Sequence, residues 1–140
     1  MRAQPEYVYA DGNNTVETYL LNDWMQSIRP WLVELLDSYP VLIYNGANDI
    51  ILSAPNCENF LRTLQWNNSS AWHGAERTIW KVSPTDFEVA GWVRQQTTPL
   101  DQPGLTYVVV RDAGHLLPQD QPERGMDMIR RWINKKPFTN

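Results

Sequence analysis

The run Val41-Leu42-Ile43-Tyr44, closed by Asn45-Gly46, restricts the fold of this chain more than any other stretch. Four consecutive apolar, mostly β-favouring side chains cannot alternate between core and solvent. The run therefore predicts a strand covered on both faces, as in parallel sheets layered between helices. Its surroundings agree. Leu20, Trp24, Ile28, Trp31, Leu32, Leu35 and Leu36 recur at helical spacing between residues 19 and 39. Pro30 breaks that pattern and predicts a second helix, which it opens, running to about Asp37.

Beyond the strand, Pro55 opens a helix with Cys57, Phe60, Leu61 and Leu64 on one side. Residues 78–81 and 89–95 predict two shorter strands. The Pro-Leu-Asp-Gln-Pro-Gly turn at 99–104 folds the second of them back onto a strand at 105–111. Pro122 opens a closing helix whose Met126, Ile129, Trp132 and Ile133 form an apolar stripe. The order is that of an α/β protein. Residues 1–18, polar and turn-rich around Asp11-Gly12-Asn13-Asn14, predict a loop or frayed arm ahead of a unit spanning 19–140.

With 140 residues, 42% hydrophobic and 20% charged, the chain is the size of one domain and can bury a core. A formal net charge of −4 argues against a general nucleic-acid binder. No apolar run approaches the ~20 residues of a membrane span. One cysteine, Cys57, allows no internal disulfide, and with His73 and His115 it makes no zinc-ligand pattern. Neither a metal nor a cofactor is expected. Cys57 reads as a small buried apolar residue and His73 as a surface-loop residue. Of the seven tryptophans, Trp24, Trp31, Trp92 and Trp132 fall on inferred packing faces, which favours core over sugar stacking.

The chain opens at Met1-Arg2-Ala3-Gln4 without an apolar leader, so Met1 reads either as a cytosolic start or as an internal methionine. Three sequons favour the second reading and a secretory route, with Asn13, Asn67 and Asn68 as candidate glycosylation sites.

In open α/β sheets, chemistry gathers at the carboxyl ends of strands. Two loops qualify here: Asn45-Gly46-Ala47-Asn48-Asp49 and Asp112-Ala113-Gly114-His115-Leu116-Leu117-Pro118. An aspartate and a later histidine at two strand ends are the last two members of a Ser–Asp–His triad in α/β-hydrolase order. Spacing alone leaves two readings open: a triad pair, or an Asp turn former beside a loop histidine. No serine here stands in a Gly-x-Ser-x-Gly elbow, and Cys57 has no such setting either.

The residues carry more than spacing. Trp24-Met25-Gln26-Ser27-Ile28-Arg29-Pro30-Trp31-Leu32, the segment 41–49, Val89-Ala90-Gly91-Trp92-Val93-Arg94 and above all Ala113-Gly114-His115-Leu116-Leu117-Pro118-Gln119-Asp120-Gln121-Pro122 resemble the C-terminal part of a serine carboxypeptidase. Asn48-Asp49-Ile50-Ile51 and Ala54-Pro55 are most similar to the vitellogenic-like members. The resemblance spans about residues 19–136. It implies an α/β-hydrolase fold, incomplete without an N-terminal part, and a secreted, lysosomal or vacuolar glycoprotein that releases C-terminal residues from peptides through an acyl-enzyme. It makes Asp49 the triad acid, His115 the general base and Leu116 a lining residue for the departing residue. Ala47 stands where the family often has an acid.

The family's serine elbow and oxyanion hole have no counterpart in these residues, so the 140 residues alone are expected to be inactive. They are also expected to be marginally stable, with an open sheet edge that awaits the N-terminal part. A homodimer stays open, as do a related acyltransferase and a non-catalytic binding module.

Overall fold

The computed structural model describes residues 12–24, 26–96 and 100–138. Four strands form one mixed sheet: β1 (Pro40–Gly46), β2 (Arg77–Trp80), β3 (Gly91–Gln95) and β4 (Gly104–Val110), in the order β1-β4-β3-β2. β1 runs parallel to β4, with Val41 opposite Leu105 and Gly46 opposite Val110. β3 pairs antiparallel with β4, and β2 with β3. Helices α1 (Asn14–Trp24) and α2 (Arg29–Ser38) precede β1, and α3 (Ala54–Arg62) and α4 (Ser69–Gly74) follow it. Helices α5 (Leu117–Asp120) and α6 (Pro122–Ile133) follow β4.

The two-residue period of β4 builds a core on each face of the sheet. Leu105, Tyr107 and Val109 meet Leu32 and Leu36 of α2, Leu61 of α3, and Leu64, Trp66 and Trp72. Val108 and Val110 meet Val93, Trp80, Leu117, Met128 and Phe138. Prolines open α2, α3, α5 and α6, where a missing N–H leaves no partner unsatisfied.

Several sequence-based expectations need correction. The strand buried along its whole length is β4. β1 is only partly buried, because it lies at the sheet border with a single neighbour and Tyr44 is exposed. The arm expected over 1–18 gives way to α1 at Asn14, since the Asn13 side chain accepts from the Thr15 and Val16 N–H groups and caps the helix. Residues 1–11 lie outside the described residues. So do 97–99 of the hairpin turn, whose far side is tied by Gln96 Nε2 donating to Pro103 O at 2.6 Å.

Trp24 and Trp31 do not pack inward: they are 66% and 63% exposed. On α6 the stripe Met126, Ile129 and Ile133 faces outward, while Gly125 and Met128 meet the core. Trp66, Trp72 and Trp80 supply the buried tryptophans instead. His73 is not in a loop. It lies half-buried in α4, edge-on to Trp66 and Trp72 at ring-centroid distances of 5.9 and 5.8 Å.

Candidate active site

The parallel pairing of β1 and β4 sends both chains out of the sheet at the same end, and backbone bonds then lock the two loops together. Ala47 N donates to Val110 O at 2.8 Å and Asn48 N to Ala113 O at 2.9 Å. Gly46 makes this approach possible: a Cβ there would lie 2.3 Å from both the Ala113 and Gly114 carbonyl oxygens. No side chain fits that gap.

The result is a contact between the two residues singled out by the loop argument. Nδ1 of His115 lies 3.0 Å from Oδ2 of Asp49. The other carboxylate oxygen, Oδ1, accepts from the backbone N–H groups of Ile51 at 2.8 Å and Leu52 at 2.9 Å. The Leu52 N–H is the largest influence on this carboxyl. Together with His115 and the Ile51 N–H it outweighs the opposing effect of burial, so Asp49 ionises below its ordinary value of 3.8. An ionised Asp49 accepts from Nδ1–H and leaves the His115 lone pair on Nε2. The Asp49 side chain is 5% exposed and that of His115 45%, so the anion is shielded while the imidazole is open to an incoming group.

Further residues hold this pair that sequence reasoning did not identify. Asp120 Oδ2 accepts from Gly114 N at 2.7 Å, which ties the histidine loop to α5. Asn45 Nδ2 donates to Leu52 O at 2.8 Å, and Tyr107 OH lies 3.0 Å from Asn45 Oδ1 and 2.9 Å from Ala54 O. A tyrosine inside a buried strand was the available signal, because a buried hydroxyl needs a partner. Burial pushes its phenol well above the ordinary value.

Leu116, the neighbour of His115, is 61% exposed. Among the described residues no serine hydroxyl or thiol is hydrogen-bonded to His115. Cys57 lies in α3, half-buried, and burial raises its thiol pKa, so it is not activated as a nucleophile. No group of three His, Cys, Asp or Glu among the described residues could hold a metal ion. None of the described helices is long and apolar enough to cross a membrane.

Helices on both faces of a mixed sheet, with an aspartate and a histidine joined at the carboxyl ends of adjacent parallel strands, place the chain in the α/β-hydrolase class. Within that class it belongs to the serine carboxypeptidase family, whose profile matches residues 1–135. The human protein named probable serine carboxypeptidase CPVL is 44% identical over 121 residues, 86% of this chain and 24% of that protein. The vitellogenic carboxypeptidase of Aedes aegypti is 36% identical over 126 residues, 90% of this chain and 25% of that one. The crystal structure of a prohormone-processing carboxypeptidase from Saccharomyces cerevisiae superimposes with a TM-score of 0.66 at 26% identity, covering 89% of this chain and 26% of that one. The chain thus spans about a quarter of the length of these relatives.

Proposed function

We propose that this chain supplies the acid and the base of the Ser–Asp–His triad of a serine-type carboxypeptidase, and that the serine belongs to a part of the enzyme outside these residues. The Asp49–His115 hydrogen bond, with Asp49 fixed by two backbone N–H groups, carries the reading. His115 Nε2 takes the proton of the serine hydroxyl as the oxygen attacks the last peptide carbonyl, then returns it to the leaving amine. Water, activated by the same nitrogen, releases the acyl group and regenerates the serine.

Leu116 stands beside the base with its side chain open, and in this reading it lines the pocket of the departing residue. The substrate is a peptide with a free C-terminus. In this reading the rest of the enzyme covers the outward apolar stripe of α6 and the outer edge of β1, which has no strand beside it among the described residues. The sequons at Asn13, Asn67 and Asn68, all on exposed residues, accompany a secreted or lysosomal/vacuolar location.

The test treats the full-length enzyme with a sulfonyl fluoride and maps the modified residue. The expected result is one serine, outside residues 1–140, labelled in the parent and far more slowly in His115→Ala. Labelling at an unchanged rate in His115→Ala overturns the proposal.

A further inference from the structure

Arg62 on α3, Arg77 on β2 and Arg94 on β3 converge on one carboxylate. Glu58 Oε1 lies 3.1 Å from Arg62 Nη2 and 3.3 Å from Arg94 Nη2, and Oε2 lies 2.6 Å from Arg77 Nη2. One arginine would neutralise Glu58; three leave two positive charges in excess. Arg62, Arg77 and Glu58 line a cavity of about 460 Å³ walled also by Asn59, Trp92 and Val109, and Glu58 is the one carboxylate among its described lining residues.

We propose that this cavity binds a doubly charged tetrahedral oxyanion, a phosphate or sulfate group, with the Arg62 and Arg77 guanidiniums as its principal ligands. Each of these guanidiniums uses one terminal nitrogen on Glu58, and their side chains are 44% and 46% exposed, so further N–H groups remain to engage an anion. The Asn59 amide adds a neutral donor on the same wall. Arg94 forms the buried back of the cluster. Its Nη1 donates to Ala75 O, its guanidinium lies over the Trp72 ring at 5.6 Å, and its buried Nε has no partner. Beside the cations, Trp92 and Val109 offer an apolar wall for an organic substituent on the anion.

Binding is read without any reaction, so its outcome is separate from that of the triad proposal. Calorimetric titration of the full-length protein with inorganic phosphate and with phenyl phosphate, at constant ionic strength set by sodium chloride, is the direct measurement. Both are expected to bind saturably, and Arg62→Gln or Arg77→Gln to weaken binding by about tenfold or more. Arg62 sits at the exposed end of α3, so that variant should keep the parent's circular dichroism if Arg77→Gln perturbs folding. Tighter binding of phenyl phosphate assigns the site to an organic ester, and equal binding assigns it to the free ion; either supports the site. No saturable binding by about 10 mM, or unchanged affinity in a folded Arg62→Gln, overturns it.

Discussion

His115 Nδ1 and Asp49 Oδ2 stand 3.0 Å apart although the two residues are 66 positions apart in the chain. The aspartate selects which ring nitrogen carries the proton, so replacing it disturbs chemistry more than architecture. Asp49→Asn in the full-length enzyme should fold normally, yet lose kcat by roughly 10⁴-fold. The double variant with His115→Ala should be little worse than the single one, since the two act as a unit. Steady-state release of the C-terminal residue from a blocked dipeptide measures both. Parent-like turnover in Asp49→Asn would remove the aspartate from the mechanism.

Gly46 lets the two loops touch. Gly46→Ala drives a methyl group into the Ala113 and Gly114 carbonyls, whose positions the Asn48 N–H bond to Ala113 O helps to fix. A loss of about 1–3 kcal/mol or more is expected, with a larger drop in activity than stability alone explains. Urea unfolding beside kinetics separates the two.

Tyr107 braces the aspartate loop through Ala54 O and Asn45. Tyr107→Phe keeps the ring packed but leaves those acceptors short of a donor. It should destabilise by about 1–3 kcal/mol. Backbone hydrogen exchange should rise selectively over residues 49–54.

Burial raises the Glu58 carboxyl, but Arg77, Arg62 and Arg94 more than reverse this and hold it below its ordinary 4.5. A carboxyl with a depressed folded pKa contributes stability above its unfolded pKa, and the contribution disappears as pH falls through the folded one. Glu58→Gln should therefore be clearly less stable than the parent near neutrality, and the gap should narrow steadily below about pH 4.5. Urea midpoints across that range are decisive, and a gap independent of pH would contradict this account.

Trp24, Trp31, Ile50, Ile51 and Ile133 all point outward, and the outer edge of β1 has no strand beside it among the described residues. The 140 residues in isolation should bind an apolar dye and melt without a sharp transition. A cooperative, dye-free melt of a monomer would show that these surfaces need no cover.

The helices opened by Pro30, Pro55 and Pro122, the positions of the four strands, the β3–β4 hairpin and the loop placement of Asp49 and His115 were legible in the chain. Each rests on local chemistry: side-chain periodicity, the fixed φ of proline, or a polar group placed just past an apolar strand. Helix α4 escaped notice because Ser69–Gly74 is too short to show a period, and its partners Trp66 and Leu105 are distant in sequence or outside the element.

Which apolar faces are covered was decided only in three dimensions. The stripes on α6 and around Trp24 have the spacing of core residues, but spacing reports a helix's apolar side and not what lies against it. The Glu58 cluster likewise arises from residues on α3, β2 and β3 that share no local pattern. Sequence alone determined the elements and the chemistry each loop carries, because those depend on near neighbours. Tertiary structure decided the Asp49–His115 distance, the need for Gly46 and the gathering of three arginines on Glu58, because these depend on strands paired across dozens of residues.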